Sequence, residues 1–597
     1  MAEAKLAGQI ARMRQRRTGP LILELDLTEG IVDGPPQDPV AALLTIRRTR
    51  LTDLLDGLKR AAGDDRVQAL VVKVGGSRIG LAKLQELRDA VLTFRESGKL
   101  AVAWSESFGD FVRGNVPYFL ATGFDRIYLQ PTGTLGLTGV AVEQVFLHGA
   151  LEKLGIDFQS AKRYEYKSAA DQLTETGFTG PAREAAARLA ESVTEQLAAA
   201  IAAGRGLTVE QAAELLARGP FLASQALSEG LVDGLLYRDE VYDQVRKETH
   251  PDATLLYLQR YQRTHALSDL PRRVRSGVAE LTPGQSERFV AMIYAQGAIR
   301  SGRSGRGAPG GGMGSDTVAA ALRAAADEGA RAVVLRVNSP GGSATASDVI
   351  WREVVRVRAA GKPVVVSMGD VAASGGYFIS APADVIVAQP ATITGSIGVI
   401  LGKPVLQELF ERTGISTDSV THSAENATMF SSHRPFSEAD WSRIDSWLDA
   451  IYTDFTQKVA AGRRLDIGRV HELARGRVWT GADAVANGLA DETGGLREAI
   501  VIARRRAGLP DDAPVRAYPR LGPFDQLRPA ESSESRPAAA SLGAASLGAA
   551  SLGAASLGAG ALAALFSDGW GPAWQFAAAA GLPPHGPLAL PGVWKIS

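Results

Sequence analysis

The sequence contains no cysteine and no excess of charge, and each absence excludes a class of function. Without Cys among its 597 residues, the chain has no disulfide bond, no thiolate nucleophile and no zinc or iron–sulfur site built on Cys. Because 65 Lys and Arg balance 65 Asp and Glu, a protein that works mainly by binding nucleic-acid phosphates is not expected. No G-x-S-x-G motif occurs, and none of the seven histidines lies in a motif that ties it to a serine. Nothing therefore supports a Ser-His-Asp triad, although its members need not be close in sequence.

Long hydrophobic runs are missing from both ends of the chain. Residues 1–20 form a basic N-terminal segment, but only Leu21–Leu23 separate Pro20 from Glu24, whereas a signal peptide needs an apolar core of about 7–15 residues. We therefore expect no cleavable signal and no N-terminal membrane span. Residues 516–597 form a low-complexity Ala/Gly/Ser/Pro tail with repeated SLGAA units, which is typical of a flexible spacer.

One sequence unit occurs twice. The segment FDRIYLQPTGTLGLTGV at 124–140 matches ADVIVAQPATITGSIGV at 383–399, so that equivalent residues are 259 positions apart. The offset becomes 258 where GLVD at 230 matches GLAD at 488. Between the basic segment and the tail we predict an N-terminal repeat over 21–262, a linker over 263–285 and a C-terminal repeat over 286–515.

Strand-like and helical patterns alternate in the second repeat. The predicted strands are RFVAMIY, RAVVLRV, PVVVSMG and VIVAQP, and the predicted helices include SDTVAAALRAAADEG and TASDVIWREVVRVRAAGK. This alternation favours right-handed βαβ crossovers and a mostly parallel sheet. Residues 183–230 and 438–488 are expected to form outer helices, and residues 302–314 a mobile glycine-rich loop. The predicted fold class is α/β, a tandem duplication of a βα unit.

Ser374 is the candidate nucleophile. In VVVSMGDVAASGGYFIS it follows a buried strand, predicted to end at Gly369, and stands among small residues at the start of a predicted helix. A serine at a strand-to-helix turn lies above the sheet edge, where the helix N-terminus favours developing negative charge. The alternative is an ordinary helix N-cap.

A glycine pair is the candidate oxyanion hole. Gly341 and Gly342 follow Asn338-Ser339-Pro340, between a predicted strand and a predicted helix. Successive glycines allow backbone N–H groups to face a cavity, as an oxyanion hole requires. An ordinary Pro-Gly turn is the alternative.

A neutral lysine is the candidate general base. Lys167 in RYEYKSAAD lies among apolar and small residues, but lowering its pKa from about 10.4 to about 7 costs about 4–5 kcal/mol and requires burial. Considered alone, it is more simply a surface lysine. The duplication favours a catalytic role, because the position 259 before Ser374 holds Asn115 and the position 259 after Lys167 holds Asn426. In a gap-free register each repeat lacks what the other retains, which predicts one site shared between the repeats.

Four motifs together resemble one known family. YKSA, LRVNSPGGS, GDVAASGGYFIS and TGSIGV are similar to motifs of the long, two-repeat form of signal peptide peptidase A, also called protease IV, over roughly residues 20–515. The resemblance implies a Clp-protease/crotonase-like fold and a Ser-Lys dyad that cleaves signal-peptide remnants and other hydrophobic peptides through an acyl-enzyme. The site roles that it implies are Ser374 as nucleophile, Lys167 as general base, Gly341, Gly342 and Gly375 as oxyanion donors, and Ser396 as the residue that orients the lysine.

The resemblance also carries expectations about partners and location. It implies no metal or organic cofactor, a homo-oligomer such as a tetramer, and association with the membrane at the cell envelope. Members of this family commonly have an N-terminal membrane helix, which we do not expect in residues 1–20, so a soluble or peripheral protein is also compatible with the sequence.

Three other functions remain open. The chain could be an inactive scaffold or peptide-binding member of the fold, or a crotonase-type acyl-CoA enzyme. A nucleotide site at Gly305-x-Gly307-x-x-Gly310 matches G-x-G-x-x-G only formally, since the match lies in a glycine-saturated loop with no adjacent strand.

Overall fold

The computed structural model describes residues 18–34, 49–75, 79–109, 114–262, 288–304, 312–422, 424–519, 588–589 and 595–596. The chain divides into two compact units, the first made of residues 1–141, 190–287 and 596–597, the second of residues 142–189 and 288–595. Residues 142–189 thus belong to the second unit although they lie in the first repeat. The basic N-terminal segment up to residue 17, the predicted linker, the G-x-G-x-x-G match and the SLGAA units lie outside the described residues.

The first unit is built on a six-stranded parallel sheet. Its strands, in spatial order, are Gly234–Leu235, Arg126–Leu129, Leu100–Ser105, Val67–Lys73, Leu21–Asp26 and Thr254–Tyr257. Two small strand pairs accompany it, Ile31–Val32 with Thr49–Arg50 and Thr134–Leu135 with Phe221–Leu222. The helices are Leu51–Ala62, Leu81–Arg95, Asn115–Ala121, Val209–Arg218, Ala223–Ser228 and Arg238–Glu248. The helix Gly180–Arg205 contributes residues to both units.

The second unit repeats this plan around a larger sheet. One path through the sheet runs through Val478–Thr480, Ile393–Gly395, Val364–Ala373, Ala332–Ser339, Val290–Gln296 and Val515–Tyr518, and only the first of these strands is antiparallel to its neighbour. The first half of Val364–Ala373 also pairs with Val385–Ala388, which in turn pairs with Glu492–Thr493. A smaller sheet joins Gly312–Gly314, Ala298–Arg300, Gly341–Gly342 and Leu588–Ala589.

The remaining elements surround these sheets or connect their strands. The helices of the second unit are His148–Lys153, Asp171–Thr174, Ser315–Asp327, Ala344–Ala359, Gly375–Ser380, Gln407–Thr413, Glu438–Arg463, Ile467–Leu473, Gly481–Ala486 and Leu496–Arg506, with a 3₁₀ turn at Glu425–Thr428. The other strands are Val142–Glu143, Asp157–Arg163, Val399–Val405 and, near the C-terminus, Lys595–Ile596. None of the helices in the described ranges is long and apolar enough to cross a membrane.

The predicted strands and helices of the second repeat are confirmed, with differences in extent. The segment 438–488, expected to form outer helices only, also contains the strand Val478–Thr480, which joins the main sheet by antiparallel pairing with Ile393–Gly395. In the first repeat, 183–230 likewise contains the strand Phe221–Leu222. The central strand runs on to Ala373 instead of ending at Gly369, because its second half pairs with Ile393–Gly395. Part of the predicted glycine-rich loop is a strand, Gly312–Gly314, which pairs in parallel with Ala298–Arg300; residues 305–311 lie outside the described residues. The continuous Val-rich runs are buried on both faces, as parallel strands covered by helices require.

The duplication extends to individual hydrogen bonds. In the first unit the buried Tyr118 donates to the carbonyl oxygen of Leu231 at 2.6 Å, and in the second unit Tyr377 donates to the carbonyl oxygen of Leu489 at 2.8 Å. The offset of 258 relates two ion pairs, Arg205 with Asp233 at 2.9 Å and Arg463 with Asp491 at 2.5 Å. Contacts that hold the core have therefore been kept in both copies.

A strand pair outside the main sheet brings part of the first repeat into the second unit. Asp157–Arg163 pairs antiparallel with Val399–Val405, from Val399 opposite Arg163 to Val405 opposite Asp157. The strand Asp157–Arg163 leads directly to Lys167 in the sequence. The pairing therefore fixes where the segment that carries Lys167 enters the second unit.

We predict that each buried tyrosine stabilises its own unit. Tyr377→Phe leaves the buried carbonyl of Leu489 without its donor, which costs about 1–3 kcal/mol. Native-state hydrogen exchange should show this loss of protection mainly in the second unit, and Tyr118→Phe should show it mainly in the first. Unchanged protection in both variants would contradict the prediction.

Candidate active site

Ser374 lies at the junction of a strand and a helix. It follows Val364–Ala373 and caps the helix Gly375–Ser380, with φ 55° and ψ −114°. A non-glycine residue rarely adopts this positive φ, and such strain is typical of a nucleophile on a sharp strand-to-helix turn. Its N–H donates to the carbonyl oxygen of Gly395 at 2.8 Å. That bond fixes the turn, so the predicted position of Ser374 at a strand-to-helix turn agrees with the structure.

Small residues allow the surrounding chain to approach this turn. A Cβ on Gly375 would lie 2.8 Å from Ser347 Oγ and 3.1 Å from Gly341 Cα, and one on Gly376 would lie 2.5 Å from the carbonyl oxygen of Ser339. The glycines after Ser374 are therefore required for the close approach of the Ser339–Gly342 segment.

Lys167 reaches Ser374 from the segment that follows the strand Asp157–Arg163. Its Nζ lies 2.9 Å from Ser374 Oγ, 2.9 Å from the carbonyl oxygen of Ser396 and 3.0 Å from Ser396 Oγ. The side chains of Lys167, Ser374 and Ser396 are all 0% exposed. Three residues that the sequence placed far apart therefore form one buried cluster.

Burial lowers the pKa of Lys167 well below its ordinary value of 10.5. Desolvation disfavours the charged ammonium, and among the described residues no carboxylate forms an ion pair with it. The physical condition that the sequence required of a lysine base, removal from solvent inside the fold, is met.

A second buried lysine shows what distinguishes Lys167. Lys403 is also 0% exposed, and burial lowers its pKa to about 8. Its Nζ donates to the carbonyl oxygens of Met429 and Ser431, both at 2.7 Å. Both acceptors are backbone carbonyls, so this lysine holds a loop, whereas Lys167 faces a serine hydroxyl.

Ser396 owes its position to strand register. It follows Ile393–Gly395, which pairs in parallel with Val371–Ala373, immediately before Ser374. Its φ is 51°, and its N–H donates to the carbonyl oxygen of Arg477 at 2.7 Å. The residue therefore presents both its carbonyl and its hydroxyl oxygen to Lys167.

The glycine pair lies beside Ser374. Gly341 and Gly342 have φ of 102° and 155°, and the Cβ position of Gly375 is 3.1 Å from the nitrogen of Gly342. The N–H of Gly341 donates to Ser339 Oγ at 3.1 Å. This internal bond is a role for Ser339 that the sequence analysis missed, and it engages the Gly341 N–H. Gly342 lies opposite Leu588 in the smaller sheet, and Gly375 begins the helix that follows Ser374.

The first unit has no serine at the equivalent turn. Counting back from the equivalent residues Tyr118 and Tyr377 aligns Asn115 with Ser374. The hydrogen bond at the turn instead aligns Gly114 with Ser374. The N–H of Gly114 donates to the carbonyl oxygen of Gly136 at 2.6 Å, and the N–H of Ser374 donates to the carbonyl oxygen of Gly395. The helix Asn115–Ala121 has one residue more than Gly375–Ser380, so the register assumed to be gap-free shifts by one here. Asn426, the residue paired with Lys167 by offset, lies in the 3₁₀ turn of the second unit.

No metal-binding cluster is found in the part of the chain that the structure describes. Within those ranges no group of three or more His, Asp or Glu is arranged to hold a metal ion. The groups that meet at the lysine are two serine hydroxyls, one amine and a backbone carbonyl.

Comparison with known proteins identifies the family. The model of peptidase family S49 matches residues 95–251 and 356–509. The chain belongs to peptidase family S49. Among its relatives are Protease 4 of Salmonella typhi, 30% identical over 84% of this chain and 80% of that protein, and Protease 4 of Haemophilus influenzae, 30% identical over 79% and 75%. The chloroplastic serine protease SPPA of Arabidopsis thaliana is 29% identical over 77% of this chain and 66% of its own length.

Solved structures that resemble the chain include two proteases, each determined as a mutant. The 1510-N membrane-bound stomatin-specific protease matches 40% of this chain and 99% of its own, with 16% identity and a TM-score of 0.25. The ClpP1 protein from Listeria monocytogenes matches 35% and 94%, with 13% identity and a TM-score of 0.23.

These findings confirm the predicted family and enzyme class. The S49 match occurs twice along the chain, in agreement with the internal duplication. The protein is a serine peptidase, as its family and its relatives named Protease 4 and serine protease SPPA indicate. The predicted duplicated α/β fold is confirmed as well.

The lowered pKa of Lys167 predicts a pH-dependent stability. In the unfolded chain a lysine is protonated below about pH 10.4, whereas the buried Lys167 is neutral down to its lowered pKa. Between these two values the unfolded state binds more protons, so stability falls as pH decreases. Relative to Lys167→Met, the wild-type protein should therefore lose free energy of unfolding as the pH is lowered from about 10 to about 7, measured by urea denaturation.

The exposed Lys153 provides the control. Lys153→Met removes a lysine of the same unit without changing a buried site, and its stability difference from wild type should stay nearly constant over this range. If the Lys167→Met difference is equally flat, Lys167 is charged in the folded protein.

Proposed function

We propose that the protein is a serine endopeptidase that uses a Ser-Lys dyad, Ser374 and Lys167, to cleave signal-peptide remnants and other hydrophobic peptides through an acyl-enzyme. The observation that carries the proposal is the 2.9 Å distance between Lys167 Nζ and Ser374 Oγ in a site where both residues are 0% exposed. Family membership supports the class of reaction, and the proximity supports these two residues as its agents.

The contacts of Lys167 fit a neutral base, and its burial favours this form over the ammonium by lowering its pKa. A neutral amine has two N–H groups and one lone pair. The carbonyl oxygen of Ser396 can only accept a hydrogen bond, and with Ser396 Oγ it provides acceptors for both N–H groups. The lone pair is then directed to the hydroxyl of Ser374, which donates its proton as Oγ attacks the scissile carbonyl carbon.

The oxyanion that forms in this attack needs donors. We assign them to the backbone N–H groups of Gly342 and Gly375. Gly375 begins the helix Gly375–Ser380, where first-turn N–H groups have no partner within the helix. Donors fixed by the backbone need no reorganisation when the charge develops, which is why such sites contribute several kcal/mol to catalysis.

The remaining steps return each group to its starting state. The Lys167 ammonium gives its proton to the leaving amine as the C–N bond breaks, and the acyl group stays on Ser374 Oγ. The neutral lysine then takes a proton from water, whose oxygen attacks the ester, and the acid product leaves as Ser374 regains its proton. No metal or organic cofactor enters the sequence. The homo-oligomer and the contact with the membrane at the cell envelope remain predictions from the family resemblance.

We predict that Ser374→Ala and Lys167→Ala each lower kcat for a fluorogenic hydrophobic peptide by at least about 1,000-fold, because members of a nucleophile–base pair act as a unit. Thermal unfolding and labelling of Ser374 by a fluorophosphonate measure folding and the identity of the nucleophile. An acyl-CoA thioester in the same assay tests the crotonase-type alternative.

Two variants provide matched controls. Ser380→Ala removes another buried serine, whose hydroxyl donates to the carbonyl oxygen of Gly376. Lys362→Ala removes another lysine whose Nζ donates to two carbonyl oxygens, those of Ala326 and Ala330. Both should retain peptidase activity. Full activity of Lys167→Ala would refute the dyad, and a function intact in Ser374→Ala would favour an inactive scaffold.

We also predict that log(kcat/KM) rises with pH and then levels off. Lys167 accepts a proton only when neutral, so protonation below its pKa abolishes its action as a base. Burial places this pKa well below 10.5, and the rising limb should therefore lie well below pH 10.5. Initial rates of peptide hydrolysis across this range measure the limb, and a pH-independent rate would contradict a lysine base.

A further inference from the structure

One short loop contacts both segments that form the lysine site. Residues 474–477 connect the helix Ile467–Leu473 to the strand Val478–Thr480. On one side, the carbonyl oxygen of Arg475 accepts hydrogen bonds from the N–H groups of Tyr164 and Tyr166, at 3.3 Å and 3.2 Å. These two residues shortly precede Lys167, so the loop holds the backbone from which the lysine extends.

On its other side, the same loop holds the segment of Ser396. The N–H of Gly476 donates to the carbonyl oxygen of Ile397 at 2.8 Å, and the N–H of Ser396 donates to the carbonyl oxygen of Arg477 at 2.7 Å. The backbone of Lys167 and the backbone that supplies its two acceptors are therefore both anchored to residues 475–477.

Gly476 is the point of closest approach. Its φ is +88°, and a Cβ at this position would lie 2.4 Å from the nitrogen, 2.5 Å from the Cβ and 2.6 Å from the Cα of Lys167. The Cβ position of Gly398, two residues after Ser396, is 2.8 Å from Gly476 Cα. Only a residue without a side chain allows the three chain segments to meet here.

We propose that the loop 474–477, with Gly476 at its centre, is the positioning element that sets the distance between Lys167 Nζ and Ser374 Oγ. This inference rests on the proposed Ser-Lys mechanism. Gly476 contacts the backbone of Lys167 and no reacting atom, so it acts through the lysine.

A lysine needs such an element because its side chain is long and flexible. Hydrogen bonds at Nζ hold only the tip, and rotations in the four methylene groups can compensate for a shift of the backbone only by leaving favourable rotamers. A displacement of about 1 Å at a reacting group can cost about 100-fold in rate. Anchoring the lysine and its acceptors to one loop keeps them in the same relative position.

Ion pairs support the outer side of the loop. Arg475 pairs with Glu165 at 2.9 Å, and Arg477 pairs with Glu184 at 2.9 Å. Because Arg475 is exposed, its pair is expected to contribute less than about 1 kcal/mol. The backbone hydrogen bonds and the absence of a side chain at Gly476 thus dominate the positioning.

The test is Gly476→Ala in the full-length protein, with Gly488→Ala as the matched control. Gly488 also has a positive φ, +78°, but its Cβ would meet nothing closer than 3.6 Å, so it reproduces the backbone strain without the clash. We expect Gly476→Ala to lower kcat per active site by about 30–100-fold with KM changed by less than about 3-fold, and Gly488→Ala to keep both near wild type. Active sites are counted with a fluorophosphonate, and thermal midpoints are measured for both variants.

A second pair of variants tests the loop even if Gly476→Ala does not fold. Arg475→Ala removes only an exposed side chain from the loop, and Arg464→Ala removes another arginine with nearly the same positive φ, 55° against 58°. Arg475→Ala should lower kcat by about 3-fold without changing KM, because it removes the ion pair with Glu165 that supports the outer side of the loop. Arg464→Ala should change neither kcat nor KM.

The outcomes separate this inference from the proposed function. If Lys167→Ala is inactive but Gly476→Ala and Arg475→Ala match their controls in kcat, the dyad stands and the positioning role is refuted. If Lys167→Ala is fully active, the proposed mechanism itself fails. A loss of rate per total protein that equals the loss in the fraction of active sites, with kcat per active site unchanged, would indicate a merely structural glycine and would likewise overturn the inference.

Discussion

The antiparallel pairing of Asp157–Arg163 with Val399–Val405 is the interaction on which the candidate active site depends. Seven backbone positions in register bring a segment of the first repeat into the compact unit of the second. Lys167 lies four residues beyond this strand and Ser396 three residues before its partner. Once the register is set, the lysine and its acceptors approach each other over short, hydrogen-bonded lengths of chain. A shift by one residue would turn every side chain of the strand to the opposite face.

Burial then gives the lysine its chemistry. An amine in water is protonated at neutral pH and cannot act as a base, and desolvation reverses this preference at a cost in folding stability. The protein contains a second fully buried lysine, Lys403, whose Nζ faces only backbone carbonyls among its hydrogen-bond partners. Burial alone therefore does not make a dyad; the neighbouring hydroxyls of Ser374 and Ser396 distinguish the two sites. In the proposed mechanism, the stability lost by burying Lys167 keeps a neutral amine beside Ser374.

The two units share packing contacts but differ at the strand-to-helix turn. Both keep a buried tyrosine that donates to a backbone carbonyl, and both keep a lysine that donates to two carbonyl oxygens, Lys99 in the first and Lys362 in the second. The strand-to-helix turn differs, since the first unit has Gly114 and Asn115 where the second has Ser374. Packing interactions are thus common to the copies, while the proposed nucleophile is confined to one of them.

The sequence by itself determined the duplication, the alternation of strands and helices, the family and the residues worth testing, because period, repeat offset and motif are local properties of the chain. It did not determine that strand Val364–Ala373 continues to Ala373 or that the repeat register slips by one at Asn115, since each depends on pairing with another segment. Nor did it determine that Gly341 donates to Ser339, a bond set by the local geometry of the turn. Lys167 looked like a surface lysine until the duplication was considered, and Gly476 carried no pattern at all. Only the tertiary structure decided these points, because burial and close approach are set by segments that are hundreds of residues apart in the chain and adjacent in the fold.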